Sequence, residues 1–264
     1  MPAPIPAEST PAAGANKALT HKNDAYVGLT FLEPYLDDDG EVINPAKTSK
    51  MFDTMDENIA AFLTTNKLDC IVQQFRVNEK QFISKNLGSE NLFALGKSNR
   101  FAFRADQWAR LAGQLDTAHA ANLVHRDIKP SNMALYKGHV RLFDNDTMYQ
   151  MATPEERAKR LKKDGVNVTT PGYLPPVLRT GKYNEAGGLK YGVIVDQYSF
   201  INSMISMSVG AALPRFGVFH PMVIDSFLKD CLPCSAARKR EIKQFLLNPL
   251  QRPLPRPLAD YFVP

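Results

Sequence analysis

The chain of 264 residues contains only three cysteines and one tryptophan. Three thiols cannot build a disulfide framework, so the composition predicts a fold made in a reducing compartment. Cys231 and Cys234 do form a CLPC pair. A redox or metal role would need a second pair or a nearby histidine constellation, and the sequence has neither. The pair is expected to be two half-buried thiols beside a helix. No apolar run approaches the roughly 20 residues of a membrane span, so no span is expected. The chain also lacks internal repeats and a strong charge of one sign. Its net charge of +5 is mild and spread out, which would help with acidic partners but does not require nucleic acid.

What remains is a globular composition, 44% apolar and 22% charged, with length for one domain and a real core. Residues 1–24 are the exception. They are rich in Pro, Ala, Ser and Thr without apolar periodicity, which predicts a flexible tail. The tail lacks the apolar central region of a secretory signal peptide.

From residue 25 the chain alternates strand and helix signals. AYVGLTFLE (25–33) reads as a strand and Asp37-Asp38-Asp39-Gly40 as a turn. Met55, Ile59, Phe62 and Leu63 form a helical stripe within 51–65. CIVQQFRV, a turn at 78–80 and QFISKNLG read as a hairpin. Trp108, Leu111, Ala112, Leu115 and Ala118 recur at helical spacing over 105–120, a stripe for core packing. It leads directly into Val124 and His125.

There the chemistry concentrates. Residues 125–132 read HRDIKPSN, and Asp144 follows the alternating apolar positions Val140 and Leu142, at the end of a predicted strand. Asp127 can accept the proton of an incoming hydroxyl, and Lys129 can neutralise charge on a transferred phosphoryl group. Asn132 and Asp144 offer hard oxygens to a metal ion. Placement and charge neutralisation are most of what phosphoryl transfer asks of a protein.

This stretch resembles the HRDxKPxN catalytic loop of eukaryotic-like protein kinases, and its Lys-Pro resembles the serine/threonine branch. The resemblance covers about Ala25 to Phe262. It implies an α+β, two-lobed kinase-like fold: a reduced β-rich N-lobe over 25–88 and a shortened helical C-lobe over 89–264. Activity would use ATP and Mg²⁺ to phosphorylate a protein hydroxyl. Asp127 and Lys129 would be catalytic, and Asn132 and Asp144 metal-binding, with Asp146 as a rival for Asp144.

GEVINPAKTSK resembles the segment leading into the strand that carries the ATP lysine. The implied lysine is Lys47, with Lys50 second, paired with Glu57. Ser84 would fall at the gatekeeper, with Lys85, Asn86 and Leu87 offering backbone groups to adenine. Thr170 in TTPGYLPPV would bond near Asp127 and Lys129, in the wall that receives the substrate. Asp196 in VDQYSF resembles the aspartate that holds the catalytic-loop backbone.

Three departures accompany these matches. No glycine-rich loop precedes Lys47, although backbone cradling of phosphates needs glycines. Asn145-Asp146 replaces the Phe-Gly that normally follows the metal-binding Asp. Val177 replaces the Glu that pairs with a C-terminal Arg, so Arg252 is expected to be solvated or paired elsewhere. The segment after Asp144 is basic, with Lys159, Arg160, Lys162 and Lys163.

The reductions resemble the minimal kinases that bacteria deliver as type III effectors, as does the tail composition. A cytosolic protein is expected, or one secreted into a host cell to act on a host protein, with an activating protein partner. The departures also favour an alternative, a pseudokinase that binds nucleotide or a partner without transfer. A small-molecule kinase of the aminoglycoside type usually shows HGD without Lys-Pro.

Overall fold

The computed structural model of the chain describes residues 17–22, 25–31, 35–36, 42–43, 59–76, 81–88, 90–145, 148–150, 170–178, 192–212 and 219–264. The chain is mixed α+β and divides into two compact units. One comprises Met1–Leu87 with Asp144–Asp146, the other Gly88–Phe143 with Thr147–Pro264.

The first unit is built on a four-stranded antiparallel sheet. In chain order its strands are β1 (Lys17–Lys22), β2 (Tyr26–Phe31), β5 (Gln74–Arg76) and β6 (Gln81–Lys85), arranged β1-β2-β6-β5. β1 corrects the sequence expectation. The polar composition predicts a structureless tail through residue 24, yet KALTHK pairs with β2 from Lys17↔Phe31 to Lys22↔Val27. The edge of β2 supplies backbone partners that no local pattern reveals. The predicted hairpin forms as β5 against β6, with Phe75 opposite Ile83.

Two short strands, β3 (Tyr35–Leu36) and β4 (Val42–Ile43), pair antiparallel on either side of the Asp-Asp-Asp-Gly stretch. Residues 59–65 are helical and bury Ile59 and Leu63, four apart on one face. That helix stops at Lys67, in left-handed backbone (φ 55), with the Leu68 N–H bonding the Leu63 carbonyl. Cys70, Ile71 and Val72 follow, all buried.

The second unit is mostly helical. α1 (Leu92–Lys97) starts at Asn91, whose side chain accepts the Ala94 N–H at 2.9 Å. A Cβ on Gly96 would lie 2.6 Å from that of Ala211, so only glycine allows this close approach. α2 (Asp106–Ala120) buries the whole predicted stripe, Trp108, Leu111, Ala112, Leu115 and Ala118. β7 (Leu123–Val124) follows and pairs with β10 (Tyr149–Gln150).

β8 (Met133–Tyr136) and β9 (His139–Leu142) form a tight hairpin. Both turn residues have positive φ, Lys137 at 51 and Gly138 at 79, as a two-residue turn of the twisted kind requires. The predicted Val140 and Leu142 are fully buried.

α3 (Gly192–Ser208) is buried nearly all round and forms the centre of this unit. Trp108 meets its Phe200 edge-on, ring centroids 5.7 Å apart. α4 (Pro221–Asp230) and α5 (Ala236–Leu247) complete the helical part. A 3₁₀ turn, Leu258–Phe262, docks on α2 through Asp116, which accepts the Leu258 and Ala259 N–H groups at 2.8 Å each. Among the described residues, no helix is long and apolar enough to cross a membrane.

Candidate functional site

The octapeptide 125–132 leaves the end of β7 and runs to the start of β8. Its backbone is held from below by α3. Asp196, fully buried, accepts the His125 N–H at Oδ2 (2.7 Å) and the Arg126 N–H at Oδ1 (2.8 Å). His119 Nε2 lies 3.0 Å from the same Oδ2, so that ring nitrogen carries the proton and donates. The grip fixes Arg126 in left-handed backbone, φ 74. Sequence reading finds Asp196 but misses His119. It sits in the last turn of α2 beside the stripe, and helical periodicity gives it no distinguishing signal.

Beyond Arg126, Ile128 is buried, whereas Asp127 and Lys129, on either side of it, are partly exposed. Their side chains meet that of Thr170. The Thr170 hydroxyl donates to Asp127 Oδ1 at 2.7 Å and accepts from Lys129 Nζ at 2.7 Å. Lys129 Nζ also reaches Asp127 Oδ2 at 2.8 Å. Asn132 Nδ2 donates to the Asp127 carbonyl (2.9 Å) and to Oδ2 (3.0 Å).

A simple count shows what is left over. The Asp127 carboxylate has about four lone-pair positions, and Thr170, Lys129 and Asn132 fill three among the described residues. One remains for an incoming hydroxyl. Lys129 has three N–H donors and uses two, on Thr170 and Asp127. One remains for an anionic oxygen. Asn132 is buried and turns its amide nitrogen to Asp127, which leaves its amide oxygen as the group available to a cation.

Among the described residues, the segment carrying Thr170 is held by a hydrogen bond and apolar packing. Ser199 of α3 donates to the Tyr173 carbonyl at 3.0 Å, and Leu174 and Leu178 pack on Val195. Val177 is about half exposed, and Arg252 is exposed as expected. Ser199 is a second residue that the sequence does not single out.

Other expected residues lie elsewhere. Asp144 belongs to the first unit as part of the run Asp144–Asp146, whereas Phe143 belongs to the second, and it has left-handed backbone, φ 64. Its neighbour Asn145 donates to the Val72 carbonyl at 2.6 Å. Ser84, Lys85, Asn86 and Leu87 also lie in the first unit. Ser84 is buried and donates to the Gln73 carbonyl at 3.3 Å. The Asn86 N–H is spent on the Ala25 carbonyl at 2.9 Å, so its flanking residues turn their backbone groups away from β2. Lys47, Lys50, Glu57 and Asp146 lie outside the described residues.

Cys231 and Cys234 are free thiols in the connection between α4 and α5, and burial pushes both thiols up from their ordinary range. Among the described residues, no three His, Cys, Asp or Glu side chains stand together as a metal site. No protein-family model matches the chain, and no curated protein matches it.

Proposed function

We propose that this chain is a reduced serine/threonine protein kinase, with the two units acting as the lobes of a kinase-like fold. The observation that carries the reading is the meeting of Thr170 with Asp127 and Lys129 on a loop that also carries Asn132 and is gripped by Asp196. Its source is the chain's own residues, since no matching family supports it.

In this reading a serine or threonine hydroxyl of a protein substrate takes the open acceptor position on Asp127. As the hydroxyl oxygen bonds to the γ-phosphorus of ATP, the bond from that phosphorus to the bridging oxygen breaks and ADP leaves. The hydroxyl proton passes to Asp127. Lys129 directs its remaining N–H at the phosphoryl oxygens, and Thr170 holds Asp127 and Lys129 at a fixed separation. Asn132 and Asp144 would hold Mg²⁺, and their amide and carboxylate oxygens are the hard donors that ion takes. Bound there, the ion would supply charge neutralisation on the phosphates. Lys47, paired with Glu57, would bind the α- and β-phosphates, and backbone groups of Lys85 and Leu87 the adenine. Delivery into a host cell and an activating protein partner belong to the same proposal.

The test uses the full chain with γ-labelled ATP, Mg²⁺ and a panel of proteins. Label is expected on serine or threonine, with Asp127→Ala slower by about a hundredfold or more. Bound nucleotide without transfer would favour the pseudokinase. Transfer that survives Asp127→Ala would sink the assignment.

A further inference from the structure

Asn145 stands where the resemblance expects a large apolar side chain, and it is buried. Its Nδ2 donates to the Val72 carbonyl at 2.6 Å, across 73 residues of chain. Its Oδ1 is buried with no hydrogen-bond partner among the described residues. Packing alone does not favour such a residue. An orphaned buried acceptor is costly, and an apolar side chain of equal size would avoid it. The bond, however, sits directly beside a backbone that needs holding. Asp144 is in left-handed backbone, φ 64, which L-residues reach only uphill even where aspartate tolerates it. Val72 makes a firm anchor, since it ends the buried run Cys70–Val72, a turn beyond the helical residues 59–65.

We infer that Asn145 is a positioning residue whose bond to Val72 holds Asp144 in its left-handed backbone and so sets where the Asp144 carboxylate points. A polar tie thus does what apolar packing would otherwise do, and it links the carboxylate to the buried run Cys70–Val72. The tie stands on geometry alone; its effect on cation binding rests on the kinase-like reading that gives Asp144 a metal, and its effect on catalysis rests on phosphoryl transfer as well.

The experiment compares wild type with Asn145→Leu, which keeps the volume and removes both donor and orphaned acceptor. In the wild type, NMR should find the Asn145 side-chain amide protons protected from exchange, unlike those of exposed asparagines. With a non-hydrolysable ATP analogue present, Mn²⁺ affinity measured by electron paramagnetic resonance should weaken about three- to tenfold in the variant, the size of one net hydrogen bond. The kcat should fall by a similar factor with KM for the protein substrate unchanged. The thermal midpoint should stay near that of wild type, because the exchange also removes the orphaned oxygen.

A merely structural residue would move the midpoint and leave Mn²⁺ affinity per folded molecule alone, and that result overturns the inference. So does an unprotected Asn145 amide, or a wild type that binds no Mn²⁺. If wild type transfers phosphate and Asn145→Leu matches it in kcat and Mn²⁺ affinity, the inference fails while the kinase reading stands. If wild type transfers nothing, yet the amide is protected and Asn145→Leu weakens Mn²⁺, the reading of phosphoryl transfer fails and the inference stands. Should Asn145→Leu not fold, Asn145→Ser, too short to reach Val72, carries the same readouts.

Discussion

Asp196 and Arg126 stand 70 residues apart in the chain, yet the Asp196 Oδ1 accepts the Arg126 backbone N–H at 2.8 Å. The same carboxylate takes the His125 N–H and faces His119, so one buried anion collects three donors from the end of α2 and the loop beyond it. Charge-assisted bonds of this kind are among the stronger ones a fold contains. They hold the strained φ of Arg126, and with it the exit direction of Asp127.

That relationship sets the first prediction. In Asp196→Asn an amide nitrogen must face at least one of the three donors, in a site with no exposure to water. Unfolding by urea should show a loss of about 3 kcal/mol. A loss below about 1 kcal/mol would mean that the loop does not depend on this carboxylate.

Thr170 bridges Asp127 and Lys129 through a single oxygen. Thr170→Ser keeps that oxygen and should stay close to wild type in transfer rate. Thr170→Val keeps the shape without it and should be slower by about ten- to hundredfold, as expected for hydrogen bonds to charged groups. Equal rates for the two variants would remove Thr170 from the site.

In the proposed kinase, Asp144 and Asp146 are rivals for one metal-binding role. Asp144→Asn should abolish transfer with the fold intact, because an amide cannot give Mg²⁺ a charged hard oxygen. Asp146→Asn should be tolerated. Circular dichroism with an activity assay separates the cases, and the reverse ranking would move the metal ligand by two residues.

The C-terminal stretch carries a pH dependence. Burial pushes the Glu241 carboxyl up, but the Arg256 and Tyr261 bonds and the Arg256 charge outweigh it and hold the group below its usual range. A carboxylate with a depressed folded value stabilises the fold above the ordinary glutamate range, near pH 4, and that stability is lost as pH falls through the folded value. Tyr261 moves the other way, raised by burial and then by Glu241. Its contribution is present below about pH 10 and lost as pH rises further. Thermal midpoints across pH should therefore fall at both ends. Glu241→Gln should lower the midpoint at neutral pH and flatten the acid side; Tyr261→Phe should flatten the alkaline side. Solvent reaches this network, so the effects should be modest and shrink in high salt.

The sequence by itself determined the elements whose signal is local. The stripe from Trp108 to Ala118 has helical spacing and is buried throughout, and Val140 and Leu142 alternate and are buried as a strand requires. The β5–β6 hairpin carries its own turn between two apolar runs, so it too was legible. In the candidate site, Asp127, Lys129 and Asn132 were legible because they stand together in one short motif.

The tertiary structure decided what depends on a partner supplied from far along the chain. Lys17–Lys22 has the composition of a tail and becomes a strand only because β2 offers an edge. His119 and Ser199 gain roles from what faces them, Asp196 and the Tyr173 carbonyl. Asn145, in the first unit beside Asp144, bonds to Val72, a donor and an acceptor 73 positions apart. A hydrogen bond acts over about 3 Å of space whatever the separation in sequence, so periodicity cannot register it.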